Sequence, residues 1–381
     1  MSTNTRIYFD NAATTDIDPL VAEAMIPLIK EGFGNPSSIY SYGREIKSVL
    51  EGARKSVAQL IGANPGEIFF TSGGTESANM IIRRSVYDLG VKHIISSPIE
   101  HHCVTHTVED IDRLGHAKAH WVALLEDGSI DLVDLENKLK GLKGEKTIVT
   151  LMHANNEIGN LLDIEKVGAL VHSYDALFHS DTVQTIAHYK FNLKEMPVDF
   201  ITGSGHKFHG PKGVGIVYIS DKVKINPFIT GGGQERNMRA GTENVYGIVG
   251  FAKAMEIAYA KFEEEKAHIV SIKEYMRDQL KQNFPEISFN GNQGEWSLYT
   301  VLSTAFPKNE KSEMLLYTLD MAGICVSGGS ACSSGASAGS HVIQALYKGQ
   351  ANQSTIRFSF SKNNTKEQVD IVITKLKELL A

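Results

Sequence analysis

Gly203-Ser204-Gly205-His206-Lys207-Phe208-His209-Gly210-Pro211-Lys212-Gly213 lies between two apolar runs. Val198-Asp199-Phe200-Ile201 leads in and Val214-Gly215-Ile216-Val217-Tyr218-Ile219 leads out. The runs read as buried strands, and the small residues between them let something bulky approach the backbone. A lysine in such a loop has two readings. One is a solvated turn lysine. The other is a Schiff-base lysine for pyridoxal phosphate (PLP), a cofactor that acts as an electron sink.

Working upstream, Ala176-Leu177-Phe178-His179-Ser180 reads as a strand ending at Asp181, with Gln184 close behind. A carboxylate at that strand end can pair with a pyridine nitrogen and keep it protonated, or can cap a helix from Thr182. Lys146 to Leu151 is a further strand, and it ends in the polar run His153 to Gly159, where ligands sit in α/β folds. Glu67-Ile68-Phe69-Phe70-Thr71 is another, followed by Ser72-Gly73-Gly74-Thr75-Glu76-Ser77 and a helix from about Ala78 to Leu89. Strand, glycine-rich turn and helix start together offer N–H groups and a dipole end to a phosphate. The plainer reading is an ordinary turn capped by Thr75 or Ser77. After the strand His93 to Ser97 comes Glu100-His101-His102-Cys103-Val104. Adjacent histidines rarely face one ion, and no zinc-type spacing follows, so a ring packed on a planar cofactor is the better functional reading than a metal. A helix-capping histidine is the alternative.

Toward the N-terminus, Asp18-Pro19 opens a helix through Lys30, and Arg44 to Leu60 has one apolar helical face. Between them Phe33 to Ser38 is an irregular loop that exposes Asn35. Downstream, the glycine-rich loops Gly231 to Arg236 and Arg239 to Asn244 suit a phosphate or a subunit contact. They lead into one long helix expected from Val245 to Phe284. The last third alternates at strand period over Ile287 to Asn290, Ser297 to Thr304 and Ile356 to Phe360, with helices over Lys311 to Ala322 and Lys366 to Leu380. That pattern is a compact α+β unit. Within it, Val326 to Ser340 holds Cys332 among Gly, Ser, Ala and Val. Such a segment buries too little apolar area to offset its ordering entropy, so mobility and a reactive cysteine are expected there. Cys325, in an apolar run, and Cys103 read as structural.

The chain has 381 residues, 42% hydrophobic and 22% charged, with net charge −6. That length allows two domains, and the acidic balance excludes nucleic acid and anionic membrane as main partners. No apolar run approaches a membrane span, and Met1 to Asp10 has no secretory apolar region. Three cysteines are too few for a disulfide scaffold and fit a cytoplasmic protein.

Taken together, these motifs resemble the NifS/IscS-type cysteine desulfurases of the class V aminotransferase family. The likeness runs from Tyr8-Phe9-Asp10-Asn11-Ala12-Ala13-Thr14-Thr15 to Ser354-Thr355-Ile356-Arg357-Phe358-Ser359. It implies an α/β, PLP-dependent fold type I: a large domain with a mostly parallel seven-stranded sheet between helices, plus a small α+β domain. The implied bounds are residues 16–258 for the large domain, with 1–15 and 259–381 in the small one, which carries the cysteine loop at about 326–340. Lys207 would hold PLP as a Schiff base and take the substrate's α-proton. Asp181 would pair with the ring nitrogen and Gln184 with the phenolic oxygen, and His101 would stack on the ring and move protons. Gly74, Thr75, Ser204 and His206 would hold the phosphate, joined by Thr242 from the other subunit of a homodimer. Asn155 and Arg357, with Asn35, would hold the carboxylate of L-cysteine.

Cys332 would attack the substrate sulfur, giving L-alanine and a persulfide for an acceptor such as an Fe–S scaffold protein. No resident metal is implied; transient iron or an Fe–S unit at Cys332 is the one exception. The chain departs from the family pattern after the nucleophile: Ser337-Ala338-Gly339-Ser340-His341 lacks the usual Leu-Glu-Pro, and Gln344 replaces an arginine. The rival readings are a selenocysteine lyase or aminotransferase of the same fold, or a non-catalytic dimeric assembly protein. Cys332 separates the desulfurase from a transaminase, which has no use for it.

Overall fold

A computed structural model of the chain describes residues 6–328 and 339–380. Cys332, the expected nucleophile, lies outside the described residues.

After a two-residue strand β1 (Ile7–Tyr8), helix α1 (Pro19–Lys30) begins as expected, with Asp18 accepting from Leu20 N–H and Pro19 at the first helical position. Helix α2 (Ser41–Leu60) buries Ile46, Leu50 and Val57 on one face. The central sheet uses β2 (Ile68–Thr71), β3 (His93–Ser96), β4 (Lys118–Trp121), β5 (Thr147–Thr150), β6 (Leu177–Asp181), β7 (Phe200–Ser204) and β8 (Gly215–Ile219). Its order is β2-β8-β7-β6-β5-β3-β4. The four pairs from β7 to β4 are parallel, whereas β8 runs antiparallel to both of its neighbours. Helices α3 (Gly74–Leu89), α4 (His102–Arg113), α5 (Leu132–Gly141) and α6 (Ile164–His172) cover the faces. Both faces are therefore apolar, and most of these strands are buried along their length.

Helix α3 starts a full turn before the expected Ala78. The Glu76 carboxylate accepts from Ser72 N–H at 3.0 Å, a contact that closes the first turn over the glycines. The single long helix expected from Val245 is two: α7 (Val245–Ala260) and α8 (Phe262–Asn283), broken at Lys261. Helix α7 packs against α1 and α2 with Ile248, Phe251 and Met255 in the core. Glu263, Glu264 and Glu265 crowd the first turn of α8, where negative charge favours a new helix N-terminus.

The remaining elements are β9 (Ser288–Phe289), β10 (Val301–Pro307), α9 (Glu310–Met321), β11 (Ile324–Cys325), α10 (His341–Leu346), β12 (Gln353–Ser359) and α11 (Lys366–Leu380). β10 thus lies several residues later than the expected Ser297–Thr304 strand. Antiparallel β12-β10-β9 packs on α8, α9 and α11 around its own apolar cluster. The N-terminus belongs to this unit: β1 pairs with β11, and fully buried Phe9 meets Phe358 and Phe360 edge-on at 6.4 and 5.6 Å between centroids. From there the chain runs past β12 to the turn after β7, where Thr15 N–H donates to His206 O at 2.9 Å.

Candidate active site

Polar residues from distant parts of the chain line one cavity of about 280 Å³ at the C-terminal ends of the parallel strands. Lys207 closes a 3₁₀ turn, Gly205–Lys207, directly after β7. Its Nζ donates to the carbonyls of Ala12 at 2.6 Å and Ala13 at 2.9 Å. Asp181 ends β6 beside β7, opposite Thr202. Its Oδ1 accepts from the Thr202 hydroxyl and from Val183 N–H, both at 3.0 Å. The carboxylate is therefore oriented and only 5% exposed, and no helix follows for it to cap. Gln184 lines the same cavity and donates to Ala12 O at 3.0 Å.

One end of the cavity is built from the start of α3. Gly73 takes φ +149°, and a Cβ on Gly74 would fall 2.6 Å from Val183 Cγ2, so glycine is required at both. The amide groups of the first turn have no intrahelical partner and carry the positive dipole end. Gly74, Thr75, Ser204 and His206 all line the cavity here. Burial, then Lys207 and Lys212, push the pKa of His206 down to about 4, so it stays neutral.

His101 also lines the cavity, and both of its alternatives hold at once. It is the N-cap of α4, its Nδ1 accepting from Cys103 N–H at 3.2 Å, and its ring still borders the site. The neighbouring Glu100 is 1% exposed and accepts from Ser97 Oγ at 2.7 Å. Burial, reinforced by Asp181, lifts its pKa from 4.5 to about 8. A buried acid raised in this way stabilises the fold below its unfolded pKa and loses that contribution as pH rises through 8. Each unit in the window costs up to about 1.4 kcal/mol. Glu100→Gln keeps the Ser97 bond without the titration. Its thermal midpoint is expected to fall less than the parent's between pH 5.5 and 7.5; an equal fall in both proteins would show that Glu100 is not the buried acid.

Arg357 on β12 reaches the cavity, but its fork is already engaged. Nη2 donates to Asp10 Oδ1 at 2.6 Å and Nη1 to Asn156 O at 2.7 Å. Asp10, which sequence reading left without a role, does not itself line the cavity; it meets Arg357 across 347 positions because it bridges to Ser359 on the same strand β12. Asn155 was expected at the carboxylate, yet it does not line the cavity. Its Oδ1 accepts from Glu157 and Ile158 N–H, and its Nδ2 donates to Ile99 O, which spends the side chain on holding the turn. Asn156 and Glu157 line the cavity instead.

Asn35 is exposed, accepts from Ser37 N–H and lies away from the cavity. Thr242 lines a separate cleft with Ser72, Arg239 and Glu243. Its loop is held by a buried ion pair: Arg54 donates to both oxygens of Glu235, at 2.7 and 2.9 Å. That pair holds Glu235, Arg236 and Asn237 in left-handed backbone, at φ +44°, +56° and +67°.

The donor set fits PLP. A helix N-terminal amide cup suits a phosphate, a buried carboxylate suits a ring nitrogen, and a lysine amine lines the same cavity. Among the described residues no group of three or more His, Cys, Asp or Glu is placed to hold a metal ion.

The aminotransferase class-V family model matches residues 7–372. The cysteine desulfurase IscS of Dictyoglomus turgidum is 40% identical over 377 residues, covering 98% of this chain and 94% of that protein. The putative cysteine desulfurase IscS 1 of Bacillus subtilis is 41% identical over 369 residues, 96% of each chain. Among solved structures, a NifS-like protein superposes with TM-score 0.90 at 38% identity, covering 99% of both chains.

Proposed function

The chain belongs to the class-V aminotransferase family and is a cysteine desulfurase, and on that premise we propose how its residues divide the work. The observation that carries the reading is the convergence of Lys207, Asp181 and the amide end of α3 on one cavity. PLP is held by the Lys207 amine, by Asp181 at the ring nitrogen, by Gln184 at the phenolic oxygen, and by Gly74, Thr75, Ser204 and His206 at the phosphate. Bound there, it supplies an electron sink for the pair left when a substrate Cα–H bond breaks.

Arg357, positioned by Asp10, holds the carboxylate of L-cysteine through its remaining N–H groups. Lys207 Nζ takes the α-proton, and His101 packs on the ring face and supplies a proton at Nε2. The thiolate of Cys332 attacks the substrate sulfur. The S–S bond forms as the substrate's Cβ–S bond breaks, and the electron pair left on Cβ takes a proton to give the methyl group of alanine. L-cysteine and the Cys332 thiol thereby become L-alanine and a Cys332 persulfide, whose outer sulfur passes to an acceptor such as an Fe–S scaffold protein.

A homodimer supplies Thr242 to the phosphate and Asn35 to the substrate end of the partner's cavity. Neither residue lines the cavity of its own chain, which supports this, as do Ile39 at 89% and Phe33 at 77% exposure near Asn35. We divide the chain into a large domain at 16–258 and a small domain at 1–15 and 259–381, a division supported by the β1–β11 pairing. No described helix is long and apolar enough to cross a membrane, and an unpaired Cys103 and Cys325 fit a reducing cytoplasm.

The test is to add L-cysteine to the PLP-loaded protein. Alanine and a persulfide on the peptide carrying Cys332 should appear together; pyruvate or a keto acid without persulfide would rule out the desulfurase chemistry.

A further inference from the structure

Cys103 has no part in the proposed sulfur transfer, yet it lines the cavity beside His101. Its Sγ lies 3.0 Å from His101 Nδ1, the same nitrogen that accepts its main-chain N–H at 3.2 Å. We propose that Cys103 is a positioning residue: its main-chain N–H and its thiol together hold His101 as the neutral tautomer protonated on Nε2. His101 then presents a proton donor to the cavity while Lys207 acts as the base. The proposal rests on the reading that His101 faces the bound cofactor.

The geometry leaves little choice. A main-chain N–H can only donate, and Nδ1 has one in-plane lone pair to receive it. A proton on Nδ1 would point at that donor. The thiol shares that lone pair as a second donor, because burial, then Asp181 and Glu100, push its pKa well above 9 and keep it protonated, while the Thr75 side chain hydrogen-bonds its sulfur. The segment is also braced. The single Thr107 hydroxyl proton is shared between Cys103 O at 2.7 Å and Asn79 Oδ1 at 3.0 Å, and Asn79 Nδ2 donates to Thr75 O at 3.0 Å. The first turns of α4 and α3 are thus tied together, so the His101 ring and the phosphate cup keep one geometry.

The surroundings act in the same direction. Burial dominates in lowering the His101 pKa; Asp181 on β6 opposes it, while Lys207 after β7, His341 on α10 and His106 on α4 add to it. The positive end of α4 disfavours imidazolium as well. The same raised pKa makes Cys103 a poor nucleophile, which separates its role from that of Cys332.

The experiment is nitrogen NMR of protein labelled with ¹⁵N-histidine, with and without PLP. The His101 signals are identified by their loss in His101→Gln. The parent should show an unprotonated Nδ1 and a protonated Nε2 across about pH 6 to 8, the range in which a free histidine changes charge. Cys103→Ala keeps the main-chain N–H and removes only the thiol donor. His101 should then titrate about one unit higher, the tenfold factor of a single neutral hydrogen bond, and the acid limb of the kcat profile should move with it at unchanged KM. Cys103→Ser should restore both. A proton on Nδ1 in the parent overturns the proposal, as does Cys103→Ala with unmoved histidine shifts and pH profile. The shifts are read without turnover, so they remain informative even where the desulfurase reading fails.

Discussion

Lys207→Ala is expected to yield a folded, colourless protein that releases no sulfur from L-cysteine. The methyl group cannot form a Schiff base, so the near-visible absorbance of bound PLP should disappear. Loss of the base alone is on the order of 10²–10⁴ in rate, and loss of the covalent anchor adds to it. The fold should survive, because the turn is held by its main chain: Phe208 N–H donates to Gly205 O, and Lys207 O accepts from His188 Nε2 at 3.1 Å. Absorbance and alanine release measure the outcome. Persistent colour and turnover would place the anchor on another lysine.

Cys332→Ser should separate colour from sulfur transfer. PLP and substrate still bind, so the absorbance should stay and respond to L-cysteine, while persulfide and alanine fall to background. The remaining thiols are poor substitutes. Burial raises the pKa of Cys103 well above 9 and also raises that of Cys325, which is committed to the short pairing of β11 with β1. A serine hydroxyl offers no comparable anion at neutral pH. Mass spectrometry of the cysteine peptides reads the result. Full activity in Cys332→Ser, with a persulfide on Cys103 or Cys325, would reassign the nucleophile.

Much of the site was legible because its signals are local. A strand, a glycine-rich turn and a helix start are written in consecutive residues, so Ser72 to Ser77, Asp181 with Gln184, and Ser204 to Lys207 could be assigned to strand ends before any packing was known. What was not legible has physical causes of its own. The helix break at Lys261 follows from charge crowding in the first turn of α8, which an apolar periodicity does not register. Asn155 and Asn156 differ by one position, and only the hydrogen bonds of the turn decide which of them holds the backbone and which borders the cavity. Cys103 read as structural, and nothing in Glu100-His101-His102-Cys103 shows that its thiol and a ring nitrogen lie within hydrogen-bond distance.

The amino-acid sequence by itself determined which residue types stand at the strand ends: a lysine in a glycine-rich turn, a carboxylate closing a buried strand, a glycine-rich turn opening a helix and a cysteine in a Gly/Ser segment. It could do so because turn geometry and residue chemistry are properties of neighbouring residues. Only the tertiary structure decided the partners and protonation states of those groups. Asp10 reaches Arg357 across 347 positions, and Glu100 becomes a neutral acid and His206 a neutral imidazole. Desolvation and long-range pairing set those states, and both exist only once distant segments have been packed around the same cavity.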